Sequence, residues 1–157
     1  MGHALVAGDH ADWAGLSLLG QILGGGPESR FGALLQNRGW SGSATAGLNR
    51  RRGPGLLEVG LDVPVEVADS AVAEVMAVLQ QLRSEAPGVE ETEALKSFIG
   101  AALPLQLATA RQAVGQVGHF RLLADAPAPG ARSLEDYAET VRALTPEELL
   151  RIAGEHL

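Results

Sequence analysis

The hydrophobic and polar positions at the start of the chain predict a strand followed by a buried helix. Residues 3–7 form a short apolar run of strand length. Residues 12–23 are apolar on most sides, which is typical of a helix packed in a protein interior. Asp9 or Asp12 is expected to cap this helix, since a carboxylate can accept the free backbone N–H groups of a first turn.

A run of glycines, Gly24 to Gly26, then predicts the end of this helix, because glycine adopts positive φ without a Cβ clash. Pro27 suits the first turn of a second helix, which ends near Gly39. A narrow apolar stripe on that helix is expected to face the core: Phe31, Leu34 and Leu35. The segment is interpreted as a structural turn. A phosphate-binding loop is the less favoured alternative, since the Gly-Lys-Ser/Thr ending of a P-loop is absent.

Alternation with period two marks the clearest strand of the chain. Over residues 57–67, apolar residues alternate with Glu, Gly, Asp and Pro, so one side should face a core and the other water. Pro64 has no N–H to donate, and regular pairing is expected to end or bulge there. Residues 40–49 predict a weaker strand, and a turn at 50–55 joins the two as an antiparallel pair.

The remainder of the chain has the spacing of helices. Asp69 is expected to cap a helix that a Pro-Gly pair ends, with these residues facing the core: Val72, Val75, Met76, Leu79 and Leu82. A long helical region over 89–123 should kink at Pro104. After a loop at 126–130, capping boxes are predicted at 133–136 and 145–148, the second with proline at the first helical position.

The order is strand, two helices, two strands, then helices. Helices gathered on one face of an antiparallel pair give a two-layer α+β sandwich with a mostly antiparallel sheet. The length of 157 residues fits one domain over 1–157. Missing edge strands of a larger domain are expected, and an exposed sheet edge invites pairing with another chain.

Composition narrows the classes of function. The net charge is −7 and aromatic residues make up 4%, which argues against nucleic-acid binding. The absence of cysteine excludes disulfides, thiolate metal sites and thiol nucleophiles. The longest charge-free apolar stretch, residues 97–110, is shorter than the roughly 20 residues of a membrane-spanning helix. No signal peptide is visible, so we expect a soluble protein of undetermined compartment.

Candidate chemistry is sparse. No serine lies in Gly-x-Ser-x-Gly. The four histidines have no zinc-binding spacing: His3, His10, His119 and His156. Acidic pairs at 90–91 and 147–148 lie at predicted helix starts, where the helix dipole accounts for them. The turn Arg50–Arg52 is expected to be solvated, with a weak contact to an anion or a peptide as the alternative. The residues predict no catalytic group, metal site or cofactor in this chain.

Several of these segments together resemble a known family. The residues that carry the resemblance are Asp12, Leu16, Ile22, Leu23, Gly24, Gly25, Gly26, Ser29, Arg30, Phe31, Leu34, Arg38 and Gly39. The strand at 55–67, the helix at 72–82, Leu95-Lys96, Tyr137 and the segment 144–149 follow in the expected order. The chain resembles the second-half, inactive-type domain of insulinase/pitrilysin-like zinc peptidases, which implies a metallopeptidase-type fold (LuxS/processing-peptidase type).

The resemblance also implies which chemistry is missing. The first domain of that family carries His-x-x-Glu-His and a downstream Glu, neither of which is present here. Its second-half domain often supplies an Arg and, seven residues on, a Tyr that contact substrate near the zinc. Those positions are Leu35 and Gly42 in this sequence. The resemblance therefore implies that this substrate-contact pair has been lost.

The leading hypothesis is a non-catalytic domain that completes or scaffolds a peptide-enclosing chamber in proteolysis. Zinc is expected only in a partner, which is either a homologous zinc-bearing peptidase subunit or a second copy of this chain. Two alternatives remain open. One is a structural assembly subunit without a role in proteolysis, like the family-related core subunits of mitochondrial respiratory complexes. The other is a small peptide-binding module.

Overall fold

The computed structural model describes residues 1–124 and 133–157, without the side chains of residues 119 and 121–124. The predicted loop at 126–130 lies outside the described residues. The strands are β1 (Gly2–Ala7), β2 (Ser43–Asn49) and β3 (Pro54–Asp62). The helices are α1 (Trp13–Gly24), α2 (Arg30–Arg38), α3 (Ala68–Ser84), α4 (Val89–Ala102), α5 (Ala110–Ala124), α6 (Leu134–Ala143) and α7 (Pro146–His156).

The sheet of the described residues has the order β1-β3-β2, and both pairings are antiparallel. The predicted hairpin is confirmed, with Leu48 opposite Leu57 and Ala46 opposite Val59. The strand predicted to reach residue 67 instead ends at Asp62. Pro64 interrupts the ladder because it has no N–H to donate, and a short 3-10 helix over Val65–Val67 follows it.

Helix α1 is the centre of the hydrophobic core. Its side chains of Leu16, Leu18, Leu19, Ile22 and Leu23 are at most 1% exposed, which confirms the predicted interior helix. They belong to one cluster with Leu57 and Val59 of β3 and with Leu149 and Ile152 of α7. Burial of each such side chain contributes about 1.5–3 kcal/mol. Alternate residues of β3, Glu58 and Gly60, are exposed, so this face of the sheet stays open. The arrangement is the predicted α+β class.

Helix α3 begins differently from its prediction. Its N-cap is Val67, which makes no side-chain hydrogen bond, and Asp69 lies inside the first turn. The predicted apolar stripe is also too wide, since Val72 and Met76 are 51% and 42% exposed. Val75 and Leu82 are buried as predicted. Leu79 is partly buried and packs against the core, so of the predicted stripe only Val72 and Met76 face outward.

The predicted long helix over 89–123 is divided into two. Helix α4 ends at Ala102, Pro104–Leu107 form a 3-10 turn, and α5 begins at Ala110. A proline inside a helix removes a backbone hydrogen bond and clashes with the preceding turn, which accounts for the break. No helix within the described part of the chain has the length and apolar character needed to cross a membrane.

Both predicted capping segments begin helices. Thr145 and Glu148 exchange reciprocal hydrogen bonds, and Pro146 is the first residue of α7. The Ser133 side chain accepts a hydrogen bond from the Asp136 backbone N–H at 3.0 Å. These contacts satisfy backbone donors that the first helical turn leaves free. The start of each helix is therefore fixed by local sequence.

Candidate functional site

The glycine run connects α1 to α2 along the chain, and it also brings the end of α1 into contact with β2. A Cβ on Gly24 would lie 2.0 Å from the backbone nitrogen of Ala46, so α1 reaches the strand only because this residue has no side chain. Gly25 caps the helix with φ −77°, and its N–H donates to the Gln21 carbonyl at 2.8 Å. Positive φ occurs only at Gly26 within the run. Close approach, rather than a left-handed cap, is what Gly24 provides.

Ser29 caps α2 from the end of this turn. Its hydroxyl accepts from the Gly32 N–H at 3.2 Å and donates to the Gly26 carbonyl at 2.5 Å. Pro27 therefore lies outside the helix, and the predicted start at Pro27 is wrong, because Ser29 supplies the cap two residues later. The signal for the cap was the serine itself, which is among the best N-cap residues.

Arg30 is engaged in a structural ion pair. Its Nε and a terminal nitrogen donate to the two carboxylate oxygens of Glu91 at 3.5 and 3.2 Å. This pair ties the start of α2 to the start of α4. Arg38 at the other end of α2 pairs with Glu74 of α3. The polar groups of Ser29 and Arg30 thus bind the chain itself, which supports the interpretation of the segment as a turn.

The two positions that correspond to the substrate-contact pair have different surroundings. Leu35 is 6% exposed in α2 and belongs to the buried residues of that helix. Gly42 has φ +146°, and a Cβ there would lie 1.7 Å from the Asp62 carbonyl oxygen. Neither position presents a side chain that could donate to a substrate. Their assignment to the family's Arg and Tyr remains a prediction.

An ion-pair cluster joins the two ends of the described fold. Arg151 of α7 donates to both carboxylate oxygens of Asp12, at 2.7 and 3.2 Å. His156 Nε2 donates to the same carboxylate at 2.9 Å. His10 Nδ1 accepts from the Asp12 backbone N–H at 3.2 Å. Asp12 is the N-cap residue of α1, but its side chain binds α7 instead of the first-turn amides.

Three of these residues have the composition of a metal site. The donor atoms of His10, Asp12 and His156 lie within 4.8 Å of one another. Both oxygens of the carboxylate already accept from Arg151, and the positive guanidinium opposes a second cation. The cluster is accounted for as an anchor between α1 and α7. Sequence reasoning missed it, since Asp12 and Arg151 are 139 positions apart and no short motif connects them.

This anchor predicts a specific pH dependence. Hydrogen bonding by Arg151 lowers the pKa of Asp12 to about 2, against the opposing effect of burial and with a further contribution from His156. A carboxyl whose folded pKa is depressed stabilises the fold above its unfolded pKa, and that contribution disappears as the pH falls toward the folded pKa. Allowing for the exposure of Arg151, we expect Asp12→Asn to destabilise the protein by about 1–2 kcal/mol at pH 6.

Urea denaturation of the parent and of Asp12→Asn at several pH values measures this effect. The difference between the two should shrink between pH 4 and pH 2, because in that range the Asp12 carboxyl of the unfolded parent binds a proton while that of the folded protein is still largely ionised. Glu155→Gln is the matched control, because Glu155 also accepts from Arg151 at 2.9 Å but its side chain is 54% exposed. A constant difference across the pH range would contradict the assigned role of Asp12.

The arginine turn after β2 splits into two environments. Arg51 and Arg52 are exposed, as expected. Arg50 is half-buried, and its guanidinium carbon lies 5.9 Å from the Trp13 ring centroid and 5.7 Å from that of Phe120. The solvated face predicted for the whole turn therefore does not hold for Arg50. A cavity of about 470 Å³ adjoins it.

Comparison with known proteins places this fold in a family context. The family model described as the peptidase M16 inactive domain matches residues 4–98, which is more than half of the chain. The match covers the glycine turn, the ion pair of Arg30 with Glu91, and the positions of Leu35 and Gly42. No curated protein matches the chain at a significant level.

Solved structures share the fold at low sequence identity. The peptidase M16 inactive domain from Pseudomonas fluorescens superimposes with a TM-score of 0.87 at 23% identity, over 99% of this chain and 37% of that one. A protease from Helicobacter pylori gives a TM-score of 0.87 at 21% identity, over 99% and 37%. The inactive peptidase domain of a proposed zinc protease from Bordetella parapertussis gives 0.77 at 19% identity, over 99% and 81%.

Proposed function

The chain belongs to the family of peptidase M16 inactive domains, and from that premise we propose that it is the non-catalytic partner of a zinc-bearing peptidase domain. In this proposal it completes or scaffolds a chamber that encloses a peptide. The family match to an inactive domain carries the proposal. The chain spans about 37% of the length of the first two structures that share its fold. In this proposal the zinc-bearing domain lies outside the residues of this chain.

The residues of the chain support a non-catalytic role. His-x-x-Glu-His is absent from the sequence. Leu35 is buried and Gly42 carries no side chain, so neither can polarise a peptide carbonyl or stabilise an oxyanion. The catalytic zinc and its general base are accordingly assigned to the partner, and no zinc is assigned to this chain.

The sheet offers a route for association with that partner. β1 and β2 are the outer strands of the described sheet, and each has one edge without a paired strand in the described part of the chain. Unpaired backbone donors and acceptors on such edges are templates for pairing with a further strand. A homologous zinc-bearing subunit or a second copy of this chain could supply that strand.

We expect the purified chain to show no cleavage of a library of fluorogenic peptides. Co-expression with a neighbouring reading frame that encodes His-x-x-Glu-His should yield a co-purifying complex with peptidase activity that a chelator abolishes. The partner alone is the control and should be less active by at least tenfold. The reason is that a chamber lacking one wall neither orients the peptide nor excludes water.

Two outcomes would count against this function. Chelator-sensitive cleavage by the pure single chain would show that it is catalytic itself. A stable complex whose activity equals that of the partner alone would favour a structural assembly subunit.

A further inference from the structure

Arg50 is held in an orientation that leaves part of its guanidinium available. Its Nε donates to the Gly8 carbonyl, which ties the end of β2 to the loop after β1. Trp13 and Phe120 are 4% and 6% exposed, and their rings lie on the guanidinium with centroids within 6 Å. Among the described residues, Arg50 forms no ion pair, and its terminal nitrogens have no hydrogen-bond acceptor there.

The cavity beside Arg50 is lined by further hydrogen-bonding groups. It has a volume of about 470 Å³, and Ser17, Asn49, Gln116 and Tyr137 contribute to its wall. Burial raises the pKa of Tyr137, and its phenol is hydrogen-bonded to Ser17, whose own hydroxyl donates to the Trp13 carbonyl at 2.9 Å. Burial also lowers the pKa of Arg50, as expected for a cation that lacks a full counter-charge. The site therefore combines a fixed cation with neutral polar side chains.

The geometry points to a binding site for a carboxylate, which we name the Arg50 pocket: Trp13, Ser17, Asn49, Arg50, Phe120 and Tyr137. A guanidinium presents parallel N–H groups that match the two oxygens of a carboxylate. Glu58 also lines the cavity and is exposed, so a single negative charge is favoured over a polyanion such as nucleic acid. The proposal depends on this pocket alone and does not require a peptidase partner.

An apolar groove continues from the Arg50 pocket. The two cavities share Gln116, Phe120 and Leu134, and the second, of about 1090 Å³, is lined also by Leu103 and Leu107. In the last residue of a peptide, the carboxylate and the side chain leave the same Cα. Adjacent cationic and apolar sites therefore fit the C-terminus of a peptide that ends in an apolar residue, such as leucine.

Trp13 provides a direct reporter of binding. The chain has 2 tryptophans, so in a Trp40→Phe background Trp13 is the single one. N-acetylleucine should change its fluorescence saturably, whereas the neutral N-acetylleucinamide should bind at least tenfold more weakly. N-acetylglycine should bind more weakly than N-acetylleucine, since it lacks the group for the apolar groove. Equal binding of the acid and the amide would overturn the proposal.

Matched variants test the residues. Arg50→Gln should weaken N-acetylleucine binding by more than tenfold, while Arg52→Gln, in an exposed position of the same turn, should leave binding unchanged. Tyr137→Phe should weaken N-acetylleucine binding several-fold. If Arg50→Gln does not fold, Tyr137→Phe and the comparison of the acid with the amide test whether the pocket binds a carboxylate. An N-acetylglutamate amide, with only a side-chain carboxylate, should bind more weakly. Tighter binding by that compound would overturn the assignment to a peptide C-terminus.

Discussion

Gly24→Ala is expected to lower the free energy of unfolding by about 2–3 kcal/mol, the cost of overpacking a close contact. The added Cβ would lie 2.0 Å from the backbone nitrogen of Ala46 and 2.7 Å from the carbonyl carbon of Thr45. Both atoms belong to the backbone of β2, so no side-chain rotation can relieve the overlap. Either α1 must move off the sheet or β2 must shift against β3.

Equilibrium urea denaturation followed by circular dichroism measures this loss. Gly100→Ala is the matched control, since Gly100 lies in α4 and no heavy atom is within 4 Å of a Cβ built there. That control should raise stability by about 0.5–1 kcal/mol, because alanine is the better helix former. If Gly24→Ala proved as stable as Gly100→Ala, α1 would not approach β2 as the structure shows.

The elements that could be predicted are those whose signals are local. The alternation in β3, the apolar surface of α1 and the capping box at Thr145 each depend on residues a few positions apart. The predictions that Pro27 begins α2 and that Asp69 caps α3 are each wrong by only a few residues along the chain. Each concerned which of several eligible residues begins a helix: Ser29 caps α2, and α3 begins directly after the 3-10 helix that follows Pro64.

The contacts that define the candidate sites could not be predicted in the same way. Asp12 meets Arg151 and His156 across 139 and 144 positions. Arg50, Arg51 and Arg52 are indistinguishable by sequence, yet Trp13 and Phe120 cover the first alone among them. Periodicity shows which face of an element is buried, but not which distant element covers it.

The sequence also could not show what surrounds Gly42, one of the two positions of the substrate-contact pair predicted to be lost. The resemblance indicates that a tyrosine is missing at position 42, but it gives no reason for the glycine. The structure supplies a physical one, since the chain passes the end of β3 at Gly42 with a backbone conformation that side chains rarely adopt. The fold at this point is therefore built around a glycine.

We therefore expect Gly42→Tyr, which would introduce the tyrosine that the resemblance predicts at this position, to destabilise the protein instead of adding activity. Gly42→Ala adds the Cβ without the aromatic ring. Strain at φ +146° and overlap with the Asp62 carbonyl oxygen at 1.7 Å act together. Since each such effect costs about 1–3 kcal/mol, the loss should be about 3 kcal/mol or more.

Thermal and urea unfolding of Gly42→Ala, Gly42→Tyr and Gly47→Ala compare these costs. Gly47 lies in β2 with open space around a built Cβ, so Gly47→Ala should change stability by less than about 1 kcal/mol. The two Gly42 variants should lose similar amounts, because the clash begins at the Cβ that they share. A stable Gly42→Tyr protein would show that position 42 has room for tyrosine. In that case the fold would not require the glycine.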